Sequence, residues 1–372
     1  MEEQQEHEHQ NDGDITYYGT GRWAAFKRVL TVIFPFLNVG LAVLIIYLAM
    51  SSDEVGIYDM VGVDINWWWI GVAAVLPYVV LLGDAFMMQI TMKTTIGRGD
   101  FMLCTKGYIM NRFYMALTPF MIGGHPYHVY YKHRSGMKMG EVTATIVPNY
   151  IMRRIGYQVL AVLILLVTIP YMSQLGGGVV VGTAIVMSLV FNFALSIFMV
   201  FAAFGRFVPR VATTASIYLL WKTRFIKDRK KVQNETNETL WEYRVAVRKM
   251  SRRPALMVAL IMFYMLIYFT HLGIILPIYA ALWGWDWSVV LILILGVFLT
   301  ESMVSMMPLP GGTGPMELFF ISIYGVLFGT PQVLVALIFW KIFTYIVPIL
   351  NGIPVLLYDS FVKFRGRGNT DY

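Results

Sequence analysis

The chain has 372 residues, 58% of them hydrophobic and 14% charged, with a mean hydropathy of +0.63 and a formal charge of +7. Soluble domains sit near about 45–50% apolar and about 25% charged, which excludes a soluble enzyme or binding module. The lone cysteine, Cys104, rules out an intrachain disulfide and a cysteine-based metal site. The positive charge lies in short stretches between apolar runs, not on one face of a soluble domain, so no nucleic acid is expected as a partner.

Residues 1–21 read as a disordered acidic tail. Glu2, Glu3, Glu6, Glu8, Asp12 and Asp14 come before any Lys or Arg, the reverse of a secretory signal. His7 and His9 alternate with these acids, so weak metal binding is the alternative to a plain solvated tail. The first membrane half, 22–204, opens with a span over Val29–Met50 behind Arg22, Lys27 and Arg28. The next loop carries Asp53, Glu54, Asp59 and Asp64 with no basic residue and is expected outside. A second span, Asn66–Ile90, begins with Trp67-Trp68-Trp69, an interfacial aromatic belt, and Lys93, Arg98 and Lys106 mark the inside.

Residues 105–140 form a broken segment. Asn111 and Arg112 interrupt its apolar part, Pro119 and Gly123-Gly124 break it, and Tyr127–Lys138 is aromatic and basic. The apolar run Glu141–Tyr171 contains Arg153 and Arg154, and Val179–Phe204 is a further span. The linker 205–253 is strongly basic and expected in the cytoplasm, with Ala212–Ile226 as an interfacial helix against anionic headgroups.

The second half, 254–360, repeats the style of the first. A span over Ala255–Leu282 ends at Trp283, Trp285 and Trp287. Val289–Ser305 carries Glu301, and a second broken segment, 289–330, contains Pro308, Pro310, Gly311, Gly312, Gly314 and Pro315. A last run, Gln332–Tyr358, contains Lys341 and leads to the tail 361–372 with Lys363, Arg365 and Arg367. The expected fold is an all-α integral membrane protein with about 7–8 transmembrane helices plus two broken, re-entrant hairpins. It belongs in a plasma or inner membrane with both termini cytoplasmic.

Laying Gly123-Gly124 on Gly311-Gly312 gives an offset of 188 residues, which sets the second span on the one from Ala255, Arg153 on Lys341, and Arg112 beside Glu301. The overlaid spans run in opposite directions, the mark of an inverted-topology repeat. Short full spans at 289–305 and 316–328 are the alternative.

Several residues carry the candidate chemistry. The Pro-Gly-Gly-x-Gly-Pro stretch cannot be helical, and the helix that starts at Pro315 offers free N–H groups to an anion such as a lipid phosphate. Glu317 in its first turn either caps that helix or faces a cationic headgroup or proton. Asp84, His271 and Glu301 are ionisable groups within apolar runs. Arg112 and Glu301 are expected to pair across the hairpins, as a gate or as a strut. Arg153, Arg154 and Lys341 either grip a phosphate or sit at the inner interface. No catalytic constellation and no metal cluster is visible, and no cofactor is expected.

The stretch from Pro308 to Glu317 resembles the Pro-x-Pro-Gly-Gly-x-Gly-x-x-Glu signature of the lysylphosphatidylglycerol synthase membrane-domain (flippase-like) family. Thr118-Pro-Phe-Met-Ile-Gly-Gly-His-Pro126 and the following Tyr residues are similar to a second element of that family. The resemblance covers about residues 20–360. It implies lipid handling at Thr118, Pro119, Gly123, Gly124, Pro126, Gly311, Gly312, Gly314 and Glu317. Bifunctional members move aminoacylated phosphatidylglycerol to the outer leaflet, which protects against cationic peptides, and a C-terminal domain transfers lysine from tRNA. With the chain ending at Tyr372, that transfer domain is expected to be missing.

The leading expectation is therefore a flippase for a phospholipid, with lysyl-phosphatidylglycerol included, or for a polyprenyl-phosphate-linked lipid. The alternatives are phosphatidylglycerol lysyltransferase activity and a non-transporting partner of a lipid-modifying enzyme. Anionic lipids, a separate synthase or glycosyltransferase and a second copy of the chain are the candidate partners.

Overall fold

The computed structural model describes residues 62–118, 123–168, 251–304 and 313–367, with isolated positions within 186–197 and 234–250. The expected acidic tail, first span and most of both the 179–204 span and the basic linker lie outside the described residues. Among the described residues the fold is all helix, with no strand.

Helix α1, Trp67–Ile96, starts where the Asn66 side chain accepts from the Trp68 N–H and stops at Gly97, whose φ of 80° is the left-handed turn that glycine adopts without strain. It runs past the expected end at Ile90 to Gly97, and along this last stretch Thr91, Thr94 and Thr95 each return a hydroxyl to a carbonyl one turn back. Helix α2, Phe101–Leu117, is capped by Asp100, and α3, Gly124–Arg134, follows and ends on Lys132, His133 and Arg134, a favourable sign for a helix C-terminus. Helix α4, Met139–Thr168, opens with Glu141, which pairs with Arg98 at 2.6 Å.

In the second half α5, Pro254–Leu272, and α6, Ile275–Trp283, share one apolar stretch with a step at Gly273. A short 3₁₀ turn leads into α7, Val290–Val304. Helix α8, Pro315–Phe328, ends at Gly329, and α9, Thr330–Lys341, passes through a π-turn at Ile342–Ile346 into α10, Val347–Arg367.

Among the described residues, four stretches are long and apolar enough to cross a membrane: Trp67–Ile96, Met139–Val167, Pro254–Trp283 and Pro331–Tyr358. Aliphatic side chains such as Val75, Val79, Leu82, Met262, Leu266 and Leu166 stay exposed on them, as helices facing lipid require. The α2, α3, α7 and α8 helices have 17, 11, 15 and 14 residues. At about 1.5 Å per residue each falls short of about 30 Å of hydrocarbon. They pack as two pairs, α2 on α3 and α7 on α8.

The halves hold together through the contact of α4 with α5, where a Cβ on Gly156 would come within 2.8 Å of the Ile261 carbonyl oxygen. A side chain there would force the two helices apart. The larger apolar core gathers α5–α9 around Phe320, Tyr324 and Trp340, and a smaller one sits between α1, α2 and α4 around Met88, Tyr108 and Val142.

Candidate functional site

The described signature residues of both broken segments hold backbone in place. The Thr118 hydroxyl donates to the Tyr114 carbonyl at 2.7 Å and accepts the Gly123 N–H at 2.8 Å, so one side chain ties the end of α2 to the start of α3. Gly124 sits so close to α2 that a Cβ would meet the Asn111 carbonyl oxygen at 2.4 Å. Pro126 lies in the first turn of α3, a position that tolerates its missing donor. Pro119 lies outside the described residues.

In the second half Gly314 has a φ of 106°, and its N–H donates to Glu317 Oε2 at 2.6 Å. Glu317 is fully buried and its other oxygen accepts from the Lys341 ammonium, which also reaches Thr313 at 3.3 Å. Glu317 therefore both caps its helix and pairs with a cation. Lys341 is consumed by that pair, with its charge over the Tyr345 ring. Tyr345 in turn donates to the Ala116 carbonyl at 3.1 Å, which joins this cluster to the end of α2. Pro310, Gly311 and Gly312 lie outside the described residues.

A second cluster forms in the first half. Asp84 on α1 is fully buried, and its Oδ2 faces Arg112 at 3.0 Å and Arg153 at 3.3 Å. Two guanidinium groups thus share one carboxylate, and each keeps 19% of its side chain exposed. Arg153 donates to the Tyr157 hydroxyl at 2.8 Å and lies over the rings of Tyr108 and Tyr157. Arg154 points elsewhere, donating to Ser196 Oγ at 2.7 Å and to Asn192. Both arginines stand near the middle of the long helix Met139–Thr168. In low dielectric such charges persist only when paired, and here the pairing leaves one positive charge over.

The expected Arg112–Glu301 pair does not form. Glu301 on α7 accepts instead from His271 Nε2 at 2.7 Å and from the Tyr268 hydroxyl at 3.4 Å, both on α5. Helices adjacent within each half supply the nearer partner: α2 packs on α1, and α7 on α5. The two clusters meet through the rings of Tyr157 and Tyr268, stacked with centroids 4.0 Å apart. Neither tyrosine stood out in a chain with 22 of them. Among the described residues no group of three or more His, Cys, Asp or Glu could hold a metal ion.

No curated protein and no solved structure matches this chain. Residues 36–352 match the lysylphosphatidylglycerol synthase TM region. Buried ion pairs on apolar helices, four helices fit to span a bilayer and a match over most of the chain agree, and the chain belongs to the family of the lysylphosphatidylglycerol synthase TM region.

Proposed function

We propose that this protein moves a phosphate-bearing lipid between leaflets, holding the phosphate at Arg112 and Arg153 while the acyl or prenyl tails stay in the bilayer. The observation that carries this reading is the sharing of one buried carboxylate by two partly open guanidiniums. The excess charge suits a phosphate, which arginine grips through paired donors. Lysyl-phosphatidylglycerol, phosphatidylglycerol and a polyprenyl-phosphate lipid are the headgroups to compare.

The same reading includes an inverted repeat with two re-entrant hairpins. Shifting the numbering by 188 residues carries α1 onto α5–α6, α2 onto α7, α3 onto α8 and α4 onto α9–α10. Asp84 and Arg112 land one residue from His271 and Glu301, so an acid–base pair recurs with its roles exchanged. Hairpins entering from opposite faces would bring their tips together where the lipid headgroup crosses.

Leaflet exchange of labelled lipids in proteoliposomes tests the reading. Exchange by the wild type is expected to be headgroup-selective and to fall at least tenfold in Arg153→Gln. No exchange of any of the three lipid classes, or exchange indifferent to both Arg112→Gln and Arg153→Gln, overturns it. Single cysteines between α2 and α3 and between α7 and α8, in a Cys104→Ser background, test the hairpins. An impermeant thiol reagent reaching both from the same side overturns the repeat.

A further inference from the structure

We propose that the pocket between the end of α1 and the start of α5 binds a phosphate-bearing anion with two or more negative charges, supplied by a lipid headgroup at the membrane surface. The site is separate from the Arg112–Arg153 cluster and does not rest on the lipid-translocation reading above.

The pocket has a volume of about 540 Å³, and four cations line it: Lys93 on α1, and Lys249, Arg252 and Arg253 ahead of α5. All four are exposed. Among the described residues no carboxylate lines the pocket and none of the four forms an ion pair. Asp100 and Glu141 are engaged elsewhere, the first capping α2 and the second holding Arg98. The chain stays coiled as it approaches α5, with the Arg252 N–H on the Arg248 carbonyl at 3.3 Å and the Arg253 N–H on that of Met250 at 2.9 Å. Lys249 therefore stands one turn before Arg252 and Arg253, the spacing at which like charges repel. The packing of α1 on α5 brings Lys93 in from a second helix. A polyanion offsets the repulsion of such a cluster, and no acid of the pocket does so.

The two helix ends act in opposite senses. The last carbonyls of α1 oppose an anion, but two of them are taken, that of Lys93 by the Gly97 N–H at 3.1 Å and that of Thr95 by the Lys249 ammonium at 3.3 Å. Helix α5 starts at Pro254 with no side-chain cap from Arg253, so the positive end of its dipole is left uncovered. The Thr94 and Thr95 hydroxyls donate to their own helix, which leaves recognition to the cations. Both helices belong to stretches long and apolar enough to span a bilayer, so their joined ends fall at headgroup level. A basic pocket between spanning helices at that level suits a multiply charged headgroup.

Native mass spectrometry of the purified full chain in non-ionic detergent tests this. Cardiolipin is the lipid probe, phosphatidylcholine the zwitterionic comparison and inorganic pyrophosphate the soluble bearer of the same chemistry. The wild type is expected to hold cardiolipin about tenfold or more tightly than phosphatidylcholine. Lys93→Gln combined with Arg252→Gln should weaken the pocket's cardiolipin about twenty-fivefold, since each basic residue at a membrane surface contributes about fivefold. Arg134→Gln combined with Lys138→Gln removes the same charge from exposed positions outside the pocket and should bind as the wild type does. Pyrophosphate held as tightly as cardiolipin overturns the lipid as the source of the phosphate. Equal binding by the two double variants, or no preference over phosphatidylcholine, overturns the site. Lipid exchange that depends on Arg112 and Arg153 is read in a different assay, so the two proposals fail separately.

Discussion

Asparagine at position 84 keeps the shape of the side chain and removes the carboxylate that Arg112 and Arg153 share. Breaking a buried ion pair from one side costs about 3–5 kcal/mol, because the abandoned charge stays buried. Each arginine here keeps 19% of its side chain open, so water takes up part of that cost and we place Asp84→Asn near about 3 kcal/mol. Arg112→Gln is the milder change, about 1 kcal/mol, since Asp84 retains Arg153 at 3.3 Å. At about 2–4 °C per kcal/mol, the melting temperature should drop by about 6–12 °C for Asp84→Asn and by about 2–4 °C for Arg112→Gln. Cys104 supplies the assay. It is the only cysteine and fully buried, so a thiol-reactive fluorophore reports unfolding in detergent without any engineered probe. In the double variant the two losses should fall short of their sum by about 0.5–3 kcal/mol, the coupling of groups in contact. A melt in which Arg112→Gln is worse than Asp84→Asn, or in which Asp84→Asn matches the wild type, refutes the shared-carboxylate account.

The Glu317–Lys341 pair yields a different pattern. Each single change, Glu317→Gln or Lys341→Met, strands a buried partner and should cost about 3–5 kcal/mol, whereas the double change removes both charges and should melt within a few degrees of wild type, as the same dye assay would read. Lys132, in the last turn of α3 and outside the four spans, is fully buried with no partner for its ammonium among the described residues, and burial pushes its pKa down to about 8. The unfolded chain holds that proton up to the ordinary value of 10.5, so it binds more protons than the folded chain between about 8 and 10.5, and stability should rise with pH across that window. Lys132→Met should abolish the rise and stabilise the protein at pH 7 by roughly 2–4 kcal/mol, checked by circular-dichroism melts at pH 7 and pH 9.5.

The spanning helices were readable in the sequence because their signals are local. Trp67-Trp68-Trp69 marks the start of α1 and Lys93 lies in its last turn, and Trp283 and Trp285 mark the close of the 254–283 stretch. The charged residues worth inspecting were readable too, since Asp84, Arg112, Arg153 and Glu301 interrupt apolar runs. Who pairs with whom was not. Asp84 and Arg153 are 69 positions apart, and nothing local to either selects the other; only the packing of α1 on α4 does. The expected Arg112–Glu301 pair failed for the same reason, because an overlay of halves reports equivalence rather than contact. Tyr157 and Tyr268, which connect the two clusters, carry no distinguishing sequence signal at all.

The two signatures and the charged cluster perform different work. At Gly124 and Gly314 a Cβ is refused by a carbonyl or a positive φ, while Thr118 and Glu317 spend their polar atoms on the N–H groups that close the helix starts. These residues fix how one short helix ends and the next begins. Arg112, Arg153 and Asp84 lie outside both signatures, and so do His271, Tyr268 and Tyr157. On the proposed lipid-transport reading, the described signature residues carry the architecture, and lipid selectivity is to be sought in the helices that flank them. Changing a signature residue should cost folding before it changes preference, and changing Arg112 or Arg153 should alter which lipid moves while the hairpins stay intact.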